Sequence, residues 1–310
     1  MDVAVLGAGA AGRGIAQICA AAGHGVTLHD EDVNAVMDAV DAVEAALSDA
    51  VPAGDLAADA RDDAVDRIEA TTGLESAVAA ADLVLEATEA DRAARRELFA
   101  DVEAAVDADP LIATTGGSVS VTAVAAGLRN PGRAVGLHFV DPPTGSLVEV
   151  VVAEQTAEPT REAAVSFVEG LDREAVVVRD TPGFAATRLS LALAVEAMHM
   201  IDERAAGVEA VDRAMALGHD HPIGPLAAAD ERGLGATLDA LEHLSESLGD
   251  RFTPPPVLRE KVQRGRLGRK TGEGFYVWEG GEPVEPAEPN PTPELRAETP
   301  VDPGDGAESG

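Results

Sequence analysis

Apolar residues cluster in short unbroken runs through the first part of the chain and fall into helical spacing through the last part. Runs at 3–6, 26–29, 83–85, 111–113, 134–139, 147–152 and 175–178 have strand length and are mostly apolar. Helical patterns at 13–22, 33–47, 55–68 and 92–106 lie between them. Apolar strands alternating with helices predict a mostly parallel sheet covered on both faces. Thr181-Pro182-Gly183 ends that pattern, and beyond it 189–204, 208–217, 235–248 and 256–263 have helical composition with no competing strand. The expectation is an α/β fold in which residues 1–182 form a Rossmann-like, doubly wound, mostly parallel sheet and residues 183–278 form an all-α C-terminal domain. From Gly280 onward the chain carries seven prolines and eight acidic residues without apolar periodicity, so 279–310 is expected to be a disordered acidic tail.

The turn after the first strand carries the clearest chemistry. Gly7-Ala8-Gly9-Ala10-Ala11-Gly12 follows an apolar strand and opens a helix. Such a turn lets backbone approach a pyrophosphate, which the amides and dipole of the helix N-terminus then hold. The second strand ends at Asp30, where a carboxylate can accept the ribose hydroxyls of NAD and would repel the 2′-phosphate of NADP. The cofactor expected is therefore NAD, on Gly7, Gly9, Gly12 and Asp30.

Charge changes the picture of the surroundings. The net charge is −33, from 56 acidic and 23 basic side chains, and only two of the basic residues, Lys261 and Lys270, are lysine. The acids are spread along the whole chain, as in proteins of halophiles that accumulate cytoplasmic salt, where molar cations shorten the Debye length to ~3 Å. Dilute buffer is expected to cost structure. A nucleic-acid partner is not expected, because no broad basic face exists. No charged segment followed by an apolar run opens the chain, and the apolar stretch at 189–195 is too short to cross a bilayer, so a cytoplasmic protein without membrane contact is expected. Cys19, the only cysteine, reads as core filler.

Ordered motifs along residues 1–279 resemble the L-3-hydroxyacyl-CoA dehydrogenase family, whose short-chain members act on 3-hydroxybutyryl-CoA. The glycine turn is similar to its cofactor loop, and Leu85-Glu86-Ala87 with Glu97-Leu98-Phe99 to its fourth-strand block. Gly136-Leu137-His138-Phe139, Asp141-Pro142-Pro143 and Leu147-Val148-Glu149-Val150 resemble its catalytic block. Asp180-Thr181-Pro182-Gly183-Phe184 resembles its domain junction, Pro222-Ile223-Gly224-Pro225 a helical-domain motif, and the glycine-rich 265–276 stretch its C-terminal signature. The resemblance implies reversible hydride transfer between NAD and the 3-carbon of a 3-hydroxyacyl thioester. It also implies a homodimer joined through the helical domain.

Within that resemblance His138 matches the catalytic acid/base and Glu149 its carboxylate partner. Alcohol oxidation needs a base to take the hydroxyl proton as hydride leaves, which an imidazole supplies near neutral pH. Glu89 and Arg95 fall beside the cofactor, Arg95 in place of the family's lysine, while Ala90 stands where the family has glutamate. The family's serine, asparagine, threonine, serine, serine loop is here Thr114-Thr115-Gly116-Gly117-Ser118, and Thr187 replaces an asparagine of the site. Ser118, Thr115 and Thr187 are the hydroxyls left to face substrate. No metal is expected, since His219 and His221 lack a third ligand motif. The basic residues at 259–270 are expected to form salt links between domains or subunits. The 49–69 segment is acidic apart from Arg61 and Arg67 and offers little to CoA phosphates. Two alternatives stay open on this ground: a dehydrogenase of a small free 3-hydroxy acid or sugar acid, and a catalytically silent NAD-binding dimer.

Overall fold

The computed structural model describes residues 1–54, 56–106, 109–116 and 119–288. It divides into a compact unit from Met1 to Leu189 and a second beginning at Ser190. The first unit thus runs past the break at 182 in the sequence pattern.

In chain order the first unit contains β1 (Asp2–Leu6), α1 (Ala10–Ala21), β2 (Gly25–His29), α2 (Val33–Ala53), α3 (Ala58–Val65), β3 (Ile68–Thr71), α4 (Leu74–Val78), β4 (Leu83–Glu86), α5 (Arg92–Ala105), β5 (Leu111–Thr114), α6 (Val121–Ala125), β6 (Ala134–Phe139), β7 (Leu147–Val152), α7 (Glu158–Gly170) and β8 (Glu174–Arg179). The strands form one eight-stranded sheet in the order β3-β2-β1-β4-β5-β6-β7-β8. All neighbours are parallel except β6 and β7, joined by a short loop, which pair antiparallel. Both faces are buried, as a parallel sheet requires. Val3, Val5, Leu28, Leu85, Leu137 and Val150 pack on one side. Ala4, Leu6, Val84 and Ile112 meet Phe99 and Val102 of α5 on the other.

One helix expected over 55–68 is instead α3 followed by strand β3. The Val26 amide donates to the Arg67 carbonyl at 2.9 Å and brings β3 alongside β2, where it pairs from Ile68 to Thr71. As a half-exposed edge strand it lacks the apolar run that betrays a buried one.

The chain enters the second unit along α8 (Ala186–Asp202), followed by α9 (Val208–Gly218), α10 (Pro225–Arg232), α11 (Leu234–Leu248), α12 (Pro256–Gln263), β9 (Tyr276–Glu279) and β10 (Glu282–Pro286). Its core gathers Leu191, Met198, Leu226, Leu241, Leu258 and Phe275. The unit is helical apart from one element: β9 and β10 pair as an antiparallel hairpin, so residues 279–286 of the stretch expected as tail are strand and turn. The cause lies in α10. Asp230, fully buried, accepts the amides of Phe275 and Tyr276 and the indole Nε1–H of Trp278, each at 2.9–3.0 Å, and so anchors the chain that starts the hairpin. β10 is exposed and rich in proline and glutamate, which gave it the composition of a tail. Residues 289–310 lie outside the described residues.

Arg259, Arg264, Arg266 and Arg269 pair with Glu242, Glu260, Glu273 and Glu231 of their own unit. These contacts are local to the second unit. Cys19 is buried, and burial pushes its thiol up to about 12, so it is an inert core residue.

Candidate active site

At the C-terminal edge of the sheet the glycine turn closes on itself. Gly7, at φ +114°, donates its amide to the His29 carbonyl at 2.8 Å, and a side chain there would run into the Ala87 carbonyl. A Cβ on Gly12 would overlap the Gly7 carbonyl, so α1 can start this near the turn only without one. Gly9 is different. A Cβ there would meet nothing within 4 Å, and as the N-cap of α1 it offers no side chain to the first-turn amides. Those amides face open space with the positive end of a helix behind them, which suits a pyrophosphate. Asp30, at the end of β2, accepts the Ala8 amide at 3.0 Å and the Asp32 amide at 3.2 Å. Its carboxylate is thereby fixed beside the turn, where ribose hydroxyls can donate to it and a 2′-phosphate would be repelled. The residues present fit NAD.

An open cleft of about 370 Å³ continues from this turn across the ends of β4, β5 and β6. Gly9, Ala10, Thr88, Glu89, Thr115, Gly116, His138 and Pro142 line it. Of the hydroxyls expected to face substrate, Thr115 lines the cleft. Thr187 lies in the first turn of α8 and is not among the lining residues, and Ser118, like Gly117, lies outside the described residues.

His138 owes its place to strand alternation. Leu137 and Phe139 point into the main core, leaving His138 on the opposite face of β6. Glu149 is its direct partner across the antiparallel ladder with β7, and His138 Nδ1 lies 2.8 Å from Glu149 Oε2. An ionised carboxylate can only accept, so Nδ1 carries the hydrogen and Nε2 keeps a lone pair for a substrate proton. The other oxygen, Oε1, accepts the amides of Ala185 and Ala186 at 2.8 and 2.9 Å, where α8 begins. Burial pushes the Glu149 carboxyl up, but the His138 hydrogen bond and these two amides outweigh it and hold the group below the ordinary carboxylate range. Phe184, at φ +47°, lays its ring 5.5 Å from the imidazole.

Arg95 does not line the cleft. Its side chain is buried, 3.3 Å from Glu86 Oε2, with Nε donating to the Ala90 carbonyl and Nη2 to the Thr88 carbonyl. It braces the loop from beneath, in contrast to the direct cofactor contact expected from its position in the sequence. Glu89 is exposed and does line the cleft. Among the described residues no group of three or more His, Cys, Asp or Glu side chains could hold a metal, and no helix is long and apolar enough to cross a membrane.

Sequence reasoning missed the Phe184 ring, which ends the junction motif, and the Ala185 and Ala186 amides that follow it. Backbone donors leave no mark on side-chain identity.

The family model for the 3-hydroxyacyl-CoA dehydrogenase NAD-binding domain matches residues 2–181, and that for the C-terminal domain of the same enzymes matches residues 183–278. The chain belongs to the 3-hydroxyacyl-CoA dehydrogenase family. It is 36% identical over 280 residues to a probable 3-hydroxybutyryl-CoA dehydrogenase of Deinococcus radiodurans, covering 90% of this chain and 100% of that one. It is also 36% identical over 284 residues to the 3-hydroxybutyryl-CoA dehydrogenase of Bradyrhizobium diazoefficiens, covering 91% and 97%. The crystal structure of (S)-3-hydroxybutyryl-CoA dehydrogenase from Ralstonia eutropha superposes with a TM-score of 0.84 at 34% identity, covering 90% of this chain and 99% of that one. As a member of this family the chain is an NAD-dependent oxidoreductase with a Rossmann-like domain.

Proposed function

We propose that this chain catalyses reversible hydride transfer at the 3-carbon of a short 3-hydroxyacyl-CoA, with His138 as acid and base and Glu149 as the group that orients it. The observation that carries the reading is the 2.8 Å contact between His138 Nδ1 and Glu149 Oε2 at the edge of the cleft that begins at the glycine turn. When bound, NAD supplies the hydride acceptor or donor. In the oxidative direction His138 Nε2 takes the hydroxyl proton, and Glu149 stabilises the resulting imidazolium. In reduction the imidazolium returns that proton to the 3-oxo oxygen. Gly7, Gly9, Gly12 and Asp30 hold the cofactor, with Glu89 at the cleft wall. Thr115, on the cleft wall, offers the substrate a side-chain hydroxyl. A homodimer is inferred as well. Within the second unit Leu217 of α9 is 73% exposed, an apolar side chain that a second copy could cover. A cytoplasmic setting suits a chain whose only thiol is free and buried.

The test is NADH oxidation in molar KCl with acetoacetyl-CoA and, in parallel, with free short-chain 3-oxo acids. Turnover of the thioester supports the proposal. Turnover of the free acids alone moves the substrate class to small hydroxy acids. NADH binding with no turnover of either would overturn the catalytic reading.

A further inference from the structure

Beneath the cleft lies a buried polar cluster that the reaction does not use. Glu86, at the end of β4 and fully buried, accepts the Thr88 amide at 2.7 Å, the Thr88 hydroxyl at 2.6 Å and the Thr114 hydroxyl at 2.6 Å. Arg95 closes the cluster from α5. Its Nη1 reaches Glu86 at 3.3 Å and the Thr114 hydroxyl at 3.2 Å, while Nε and Nη2 hold the carbonyls of Ala90 and Thr88. One guanidinium thus ties the 87–90 loop after β4 to the end of β5, from which Thr115 and Gly116 emerge. Thr88, Glu89, Thr115 and Gly116 are also walls of the cleft. The span between these loops is therefore set from below, by a planar group with fixed donor directions.

Gly116 is what lets that group lie there. A Cβ on Gly116 would overlap Arg95 Nη1 and come 2.8 Å from Cζ, closer than real Cβ contacts allow. Its φ is not in the left-handed region, so an alanine meets no backbone penalty, only the guanidinium. Both positions depart from the family pattern, which has lysine and threonine there, and in this chain the two departures meet. We propose that Arg95 and Gly116 are a matched pair that sets the separation of the two loops and, through it, affinity for the nicotinamide dinucleotide. Arg95 acts as a positioning residue, touching loop carbonyls rather than cofactor. The inference rests on NAD binding and not on the proposed thioester substrate.

The experiment is a double-mutant cycle, Arg95→Lys, Gly116→Ala and the pair together, read by the Kd for NADH from fluorescence titration and by the thermal unfolding midpoint, both in molar KCl. Each single variant should weaken NADH binding by about tenfold, Gly116→Ala by displacing the guanidinium and Arg95→Lys by losing its fork. The pair should recover to within about threefold of wild type, because a flexible lysine can vacate the space that the alanine needs. Effects that multiply in the pair, or single variants that bind NADH as wild type does, would overturn the proposal. Should Gly116→Ala fail to fold, Thr114→Val provides the second arm. It removes the hydroxyl between Glu86 and Arg95 without altering the cleft wall, and should weaken NADH binding several-fold in a protein that still unfolds cooperatively, at a lower midpoint; unchanged affinity would count against the proposal. Because NADH binding is read directly, failure of this pair is distinct from failure of acetoacetyl-CoA turnover.

Discussion

His138 and Glu149 sit directly opposite one another in the antiparallel β6–β7 ladder, and the strand register itself closes the 2.8 Å contact between them. Glutamine at 149 would keep the shape but present an NH₂ either to Nδ1–H or to the α8 amides, all of which are donors. Glu149→Gln is therefore expected to lower kcat by about 10⁴-fold, as when an orienting carboxylate behind a catalytic histidine is replaced by its amide. Affinity for NADH should change little. Steady-state kinetics beside an NADH titration checks both.

The same carboxylate makes stability depend on pH. Its folded pKa lies below the ordinary value, so the stability it adds is fully present above the unfolded value of about 4.3 and is lost as pH falls through the folded one. The stability gap between wild type and Glu149→Gln should be widest near neutrality and close below about pH 4. Urea unfolding of both proteins across that range tests it, and a gap independent of pH would contradict it.

Asp230 makes a separate prediction in the second unit. Its three hydrogen bonds to Phe275, Tyr276 and Trp278 are buried, so Asp230→Ala leaves three donors without partners and should destabilise that unit by about 3 kcal/mol or more. Trp278 is the only tryptophan, and its fluorescence reports release of the hairpin directly.

Much of this architecture is legible in the chain because buried parallel strands are apolar on both faces, and β1, β4 and β5 show as uninterrupted runs. The dinucleotide turn is legible because Gly7 and Gly12 each answer a steric demand, and His138 because it stands at a strand end in a dense motif. Edge strand β3 and exposed β10 lack that apolar signature. The five-residue helices α4 and α6 are too short to show a period. Arg95 illustrates the remaining gap. Its charge and position suit a cofactor contact, and only tertiary packing shows that the guanidinium is consumed by Glu86, Thr114 and two carbonyls beneath the loop.

Net charge yields a prediction for the whole molecule. At −33 the folded chain repels itself, and molar salt reduces the screening length to ~3 Å. The unfolding midpoint should rise by on the order of 10 °C between dilute buffer and molar KCl. Calorimetry at the two salt concentrations decides this, and an unchanged midpoint would contradict it.

Proton transfer at His138 is read out by single-turnover oxidation of NADH by acetoacetyl-CoA in molar KCl. Glutamine at 138 can still donate to Glu149 but has no lone pair of comparable basicity to exchange a proton with substrate. His138→Gln should slow NADH oxidation by about 10³-fold while NADH affinity stays within about threefold of wild type. A variant that binds NADH normally and oxidises it at close to the wild-type rate would contradict it.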